Sequence, residues 1–292
     1  MPTEQEILKV IRKVVPNSNK YLFDDAAIIE KDLIITTDTL VEKTHFTLKT
    51  SKPEEIGWKA LAVNLSDIAA MGGEPLYALV SLSLPANIKI NWIERFYKGL
   101  TTCAKKYNTQ IIGGNLAKSK EINITISLIG KTLSKVGKRS NAKPNDLIFV
   151  TGTFGDAAAQ NYKIKTLPQI NLGQKIMHLT KRAALMDASD GLADCLIQIS
   201  NQSNVKIIIN EDKIPISETV KRLNKNYQDL ALYGGEDYQL VGTASKIDCK
   251  NLQKLKGIKV IGKVIKGNGA FLKQKNNKLV KLDLQKTYEH FK

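Results

Sequence analysis

Eight acidic residues stand where folded chains gather binding groups: Asp24, Asp25, Asp38, Asp67, Asp187, Asp190, Glu236 and Asp237. Each closes an apolar, strand-like run, edges a helix or sits beside glycines, and the ends of elements are where binding loops lie. One such acid alone reads as a turn residue or a helix N-cap, and Asp190 and the Asp24-Asp25 pair fit those roles. Eight of them on a chain with 44 Lys and Arg against 28 Asp and Glu are harder to assign to turns. If they converge, their mutual repulsion demands cations, and Mg2+ favours carboxylate and phosphate oxygens. The chemistry suggested is a Mg-nucleotide or Mg-phosphate site. Asp67 is the sharpest case. It lies in Ala60-Leu-Ala-Val-Asn-Leu-Ser-Asp-Ile-Ala-Ala-Met-Gly-Gly73, where no Lys or Arg offers a counter-charge. An unpaired carboxylate in so apolar a stretch is costly, so it needs either a metal or a solvated face.

The spacing around Asp67 predicts a helix. Pro53 suits its first turn, Glu54 and Glu55 suit its positive end, and Gly72-Gly73 suit its exit. Leu61, Leu65, Ile68 and Ala69 form an apolar stripe, while Asn64 and Asp67 share another face. Around this helix the chain offers a helix over 3–15 and strands at 33–37, 76–84 and 122–133. A helix over 90–107 and a short strand at 111–112 running into Gly113-Gly114-Asn115 complete the first half. Residues 134–146 are basic and turn-rich, and the boundary between an N-terminal domain (1–140) and a C-terminal domain (146–292) is expected there. Beyond it come strands at 147–150, 205–209, 238–242, 258–265 and 270–282 and a helix over 192–199, with 161–182 the least regular part. Helices mixed with alternating strands imply an α+β fold.

Other chemistries lack their signatures. Gly257-Ile-Lys-Val-Ile-Gly262-Lys263 imitates a P-loop, but Val264 replaces the Ser or Thr and the run is strand-like. There is no Gly-x-Ser-x-Gly elbow, and the histidines are only His45, His178 and His290. Cys103, Cys195 and Cys249 are far apart and show no zinc spacing, which fits core filling in a reducing compartment. The net charge of +16 admits a nucleic-acid-binding protein as a rival reading. Lysine is spread along the whole chain without basic-aromatic clusters, so a solvated surface is the simpler account and no nucleic-acid partner is expected. No apolar run has the roughly 18 residues of a membrane helix, and the first residues do not form a signal peptide; a cytoplasmic protein is expected.

Taken in order, Thr36-Thr37-Asp38-Thr39-Leu40, His45-Phe46, the run 62–72, Ile112-Gly113-Gly114-Asn115, Asp187-Ala-Ser-Asp190-Gly191-Leu192, Gly234-Gly-Glu-Asp-Tyr238 and Tyr288-Glu-His-Phe291 resemble the thiamine-monophosphate kinase family. That family shares its superfamily with aminoimidazole ribonucleotide synthetase and selenophosphate synthetase. The resemblance implies two α/β-layered domains, with N-domain strands forming a barrel in a homodimer. It implies in-line phosphoryl transfer from ATP to thiamine monophosphate with Mg2+, the alternative being another ATP-dependent enzyme of the superfamily. Carried over residue by residue, it makes Asp25, Thr36, Thr37, Asp38, Asp67, Asn115, Asp187 and Asp190 metal ligands, with Asp38, Asp67 and Asp187 central to catalysis. Tyr97, Gly114, Asn115, Arg139 and Ser189 would contact ATP, and His45, Glu236 and Tyr288 the acceptor. Three departures stand out. Phe23 precedes the first acidic pair where the family usually has glycine, Asn115 stands where many members have Asp, and the segment 160–186 is short.

Overall fold

The structure, a computed structural model, describes residues 4–16, 21, 23–30, 32–133, 135–163, 165–223 and 226–288. Helix α1 spans Glu4–Val14, and strands β1 and β2 span Ala27–Ile29 and Leu33–Val41. Helix α2, Pro53–Ala70, follows, with Pro53 at its first position and Glu55 accepting a hydrogen bond from the Lys52 N–H at 2.9 Å. It is the predicted central helix, with Pro53 in its first turn and Gly72-Gly73 just beyond its end as expected. Leu61, Leu65, Ile68, Ala69 and Ala70 are all fully buried. A helix apolar nearly all round must have neighbours on every side. Here they are the first sheet, helix α3 (Ile90–Lys106), helix α5 (Ile170–Leu179) and strand β7 (Ala183–Asp187).

Glycines set how close those neighbours come. A Cβ on Gly57 of α2 would lie 2.1 Å from the Phe96 carbonyl oxygen, and one on Gly99 of α3 would lie 1.9 Å from that of Glu54. On the other side, a Cβ on Gly173 of α5 would lie 2.1 Å from the Ala69 carbonyl oxygen. Backbones therefore touch where any larger residue would hold the helices apart.

The first sheet runs β1-β2-β5-β3-β4, with β3 at Gly73–Leu84, β4 at Gln110–Lys118 and β5 at Asn123–Thr132. Only β3 and β4 pair in parallel, which the intervening α3 permits. Period-two alternation sends Ile34, Thr36, Asp38 and Leu40 of β2 towards the helices, and Thr37 and Thr39 to the opposite, open face. The short strand expected at 111–112 proves to be the nine-residue β4, an edge strand whose last seven residues are exposed.

The second sheet has seven strands in the order β12-β11-β8-β10-β6-β9-β7. These are β6 (Leu147–Thr151), β8 (Lys206–Asn210), β9 (Leu240–Ala244), β10 (Ile258–Ile265), β11 (Gly269–Lys273) and β12 (Leu279–Lys281), with β7 at one edge. The P-loop-like run is indeed β10, paired on both sides. Short helix α4 (Asp156–Ala159) and helix α6 (Leu192–Ser203) begin just after β6 and β7. Helices α7 (Glu218–Leu223), α8 (Tyr227–Tyr233) and α9 (Lys246–Leu252) complete the chain. The expectation of irregular structure across 161–182 is corrected by α5, whose Ile170, Gly173, Ile176 and Met177 form a buried stripe at helical spacing. Gly173 and the absence of a side-chain cap at Gln169 mask that pattern in the sequence. The fold is α+β, and one apolar core reaches from Leu61 and Phe96 to Phe149, Leu185 and Leu240. Among the described residues no helix is long and apolar enough to cross a membrane.

Candidate active site

Three of the predicted acids meet. One carboxylate oxygen from each of Asp25, Asp67 and Asp187 lies within 4.8 Å of the other two. Their elements explain the meeting. Asp67 is in the last turn of α2, Asp187 ends β7 beside that helix, and Asp25 precedes β1 at the sheet edge. Neutral groups orient two of them: the Thr36 hydroxyl donates to Asp67 Oδ2 at 2.5 Å and the Ser66 hydroxyl to Asp187 Oδ2 at 2.6 Å. The Asp25 Oδ2 atom is buried without a hydrogen-bond partner.

Burial, and then the charges of Asp38, Asp187 and Asp25, push the Asp67 carboxyl well above the usual carboxylate range. Burial and the neighbouring Asp25 do the same to Asp187, against the hydrogen bond from Ser66. Arg139 brings a positive charge: its Nη2 lies 2.8 Å from Asp25 Oδ1, and its backbone N–H donates to Asp24 Oδ1 at 2.8 Å. Burial of the guanidinium opposes its charge, yet Asp25 beside it raises its pKa overall. A single arginine against three crowded carboxylates, one with an orphaned oxygen, leaves a donor set that fits a hard divalent cation. Asp25, Asp67 and Asp187 would hold it.

Asp67 and Asp187 line a cavity of about 370 Å³. Asp38, Ser189 and Asp190 line it with them, as do His45, Tyr162, Glu236, Tyr238 and Tyr288. The expected acceptor residues His45, Glu236 and Tyr288 thus share a cavity with the acids. His45 accepts the Val41 N–H at its Nδ1, 2.9 Å away, so a neutral ring carries its proton on Nε2. His290 and Phe291 of the tail motif lie outside the described residues.

The loop carrying Glu236 is held in an uncommon shape. Gly235, Glu236 and Tyr238 have φ of 65°, 56° and 49°, the left-handed region. The Glu236 N–H donates to the Ser189 carbonyl at 2.6 Å and the Tyr238 N–H to that of Ala188 at 3.0 Å, stitching this loop to the one after β7. Adjacent Asp237 points elsewhere. Its carboxylate accepts the N–H groups of Gly155 and Ala157 at the start of α4, 2.6 and 3.0 Å away, and burial raises its pKa to about 6. The sequence grouped Glu236 and Asp237 together; the structure gives Asp237 to helix capping.

Other expected residues lie apart from the acids. The Thr37 side chain is on the open face of the sheet, bonded to the Ile126 carbonyl and the Ser127 hydroxyl, because neighbouring strand residues point opposite ways. Asn115 faces the same open side. Its row runs Thr39–Thr125–Ser81–Asn115, three strand spacings across, which is about 14 Å. Gly114 lies next to it, where a Cβ would meet the Val80 carbonyl oxygen at 1.8 Å, so the close pairing of β3 and β4 requires glycine. Tyr97 is half-buried on α3, edge-on to Phe96. Arg139 and Ser189 are beside the acids. Sequence reasoning missed Ser66, Tyr162 and Lys59. Lys59 Nζ lies 2.7 Å from both carboxylate oxygens of Glu236, a partner 177 positions away that no local pattern reveals.

Residues 23–132 match the family model for the N-terminal domain of AIR synthase related proteins. The chain is 37% identical to a thiamine-monophosphate kinase of Aquifex aeolicus over 290 residues, covering 91% of this chain and 92% of that protein. It is 40% identical over 244 residues to the thiamine-monophosphate kinase of Bacillus subtilis, covering 76% and 75%. Among solved structures it is similar to one described as "AaThiL complexed with AMPPCP and TMP", with a TM-score of 0.88 at 34% identity over 99% of this chain and 97% of that one. A HypE–HypF complex shares the fold, at a TM-score of 0.78 and 21% identity over 95% and 98% of the two chains. With a relative 37% identical over nearly the full length of both chains, the chain belongs to the thiamine-monophosphate kinase family.

Proposed function

We propose that the protein transfers the γ-phosphoryl group of ATP to the phosphate of thiamine monophosphate, giving thiamine diphosphate and ADP. The observation that carries this reading is the cluster of Asp25, Asp67 and Asp187, two of which, Asp67 and Asp187, line one cavity together with Asp38, His45, Glu236 and Tyr288. A phosphate nucleophile is already anionic at neutral pH, so no side chain need remove a proton from it. Catalysis then rests on position and charge. Asp25, Asp67 and Asp187, with Asp38 lining the same cavity, would hold Mg2+. Bound there, the metal neutralises charge on the transferring phosphoryl oxygens. Thr36 and Ser66 fix which oxygens of Asp67 and Asp187 remain available. Arg139, held by Asp24 and Asp25, places a guanidinium where a phosphate oxygen can be met in a forked geometry. His45, Glu236 and Tyr288 orient the acceptor, and the aromatic face suits its cationic ring.

The test is Asp67→Asn. Turnover of ATP and thiamine monophosphate falls by at least about 100-fold, while the fold survives, because the change removes one of several crowded charges. Turnover within a few-fold of the unaltered protein, with the same thermal unfolding, would contradict the assigned site.

The two sheets are read as two domains, 1–140 and 146–292, with the acids at their junction. The open face of the first sheet also supports self-association. It exposes Tyr77 and Leu79 on β3, with Ile112 and Leu116 on the unpaired edge strand β4. Large apolar residues gathered on an open sheet face and edge suit pairing with a second copy.

A further inference from the structure

We infer that Lys59 is a positioning residue for the acceptor, acting through Glu236 and His45; the assignment rests on the reaction proposed above. Lys59 projects from α2, three turns before the end of the helix that carries Asp67. Its ammonium touches both carboxylate oxygens of Glu236 at 2.7 Å and the backbone carbonyl of His45 at 3.3 Å. It therefore ties together the two acceptor-facing residues contributed by separate loops, one after β2 and one before β9.

Three features argue that this is more than a surface ion pair. First, the two side chains are only 17% and 25% exposed, so the pair is partly shielded from water and less screened than an exposed one. Second, Glu236 sits at φ 56° between Gly235 and Tyr238, also left-handed. Such backbone persists only where its surroundings fix it, and a two-pronged contact to a rigid helix does that. Third, Lys59 reaches Glu236 from behind. Glu236 lines the cavity that Asp38, Asp67 and Asp187 line, whereas Lys59 lines a neighbouring cavity of about 710 Å³ that shares His45 and Tyr162 with it. The ammonium does not face the acceptor. It sets the direction of the carboxylate that does, and it offsets part of that carboxylate's charge next to an acceptor carrying an anionic phosphate. Because Lys59 and Asp67 share one helix, this contact also fixes the distance between the acceptor end and the metal end of the cleft.

The experiment is steady-state kinetics on the full chain carrying Lys59→Met, with Lys59→Gln as a second variant that keeps a donor, each alone and combined with Glu236→Gln. The unaltered protein is assayed first with Mg-ATP and thiamine monophosphate. The expected result is a rise of at least about ten-fold in KM for thiamine monophosphate, with KM for ATP changed less than about two-fold. In the Glu236→Gln background the same Lys59 change has little further effect, because it acts through the residue already altered. An unchanged KM for the acceptor, an equal rise in both KM values, or full additivity with Glu236→Gln would each overturn the assignment while leaving the kinase reading standing. Absence of transfer by the unaltered protein would overturn the kinase reading, and the Lys59 assignment with it. Calorimetric titration of thiamine monophosphate into the folded variants gives the same comparison without turnover.

Discussion

Burial, and then crowding by neighbouring carboxylates, raise the Asp67 and Asp187 carboxyls well above the usual range against the hydrogen bonds from Thr36 and Ser66, so the metal-free site disfavours their charged forms. A carboxyl whose folded pKa lies above its unfolded value adds stability below the ordinary value near 3.8, and that stability is lost as pH rises towards the folded pKa. Mg2+ reverses the sign, since it must displace those protons to bind. The protein with metal removed therefore melts at lower temperature as pH rises above about 4. Adding Mg2+ raises the melting temperature more at pH 8 than at pH 4, near the ordinary carboxyl value, and binding releases protons. Equal Mg2+-induced shifts at the two pH values, measured by thermal unfolding with and without chelator, would contradict the protonated cluster. Asp67 was legible in the sequence, because a carboxylate amid Ala, Leu and Ile with no cation nearby demands an explanation. Asp25 and Asp187 stood out by their place at the ends of apolar runs, but that Asp187 meets Asp25 and Asp67 depends on contacts across more than 100 positions, which no local pattern shows. Lys59 and Ser66 were invisible for the same reason: each partners an acid far along the chain.

At the scale of elements, α2 was readable from its cap, its acidic first turn and its apolar stripe. Its depth of burial was not, because that depends on α3 and α5 arriving from both sides. The alternation of β2 was readable too. Followed to its consequence, it separates Thr37 from Thr36 and Asp38, and any part Thr37 plays near the acids falls to its backbone. Helix α5 was hidden by Gly173, the residue that lets it approach Ala69. The backbone contact of α2 with α3 gives a direct prediction. Gly99→Ala places a methyl group against the Glu54 carbonyl and destabilises the protein by about 2–4 kcal/mol, read by urea unfolding. A loss within about 0.5 kcal/mol would mean that the helices separate easily.

At the scale of the whole molecule, the open face of the first sheet is the feature that the strand pattern foreshadowed without specifying its partner. The net charge of +16 adds repulsion that pairing must overcome. Replacing Leu79 with Glu puts a charge in the middle of that face, where residue 79 is 39% exposed in the single chain. Sedimentation should show the unaltered protein as a dimer and Leu79→Glu as a monomer; a variant that stays dimeric would place the interface elsewhere.

Helix α2 is packed on one side by the first sheet and on the other by α5 and β7, so its surroundings come from both halves of the sequence. Cleavage in the basic stretch between Thr132 and Leu147 would strand Ala69, Gly72 and their neighbours without a cover, and leave Gly173 and Met177 facing water. Neither fragment would be a self-sufficient folding unit. Expressed together, the two would complement one another, with the helix as the shared seam that lets them recombine.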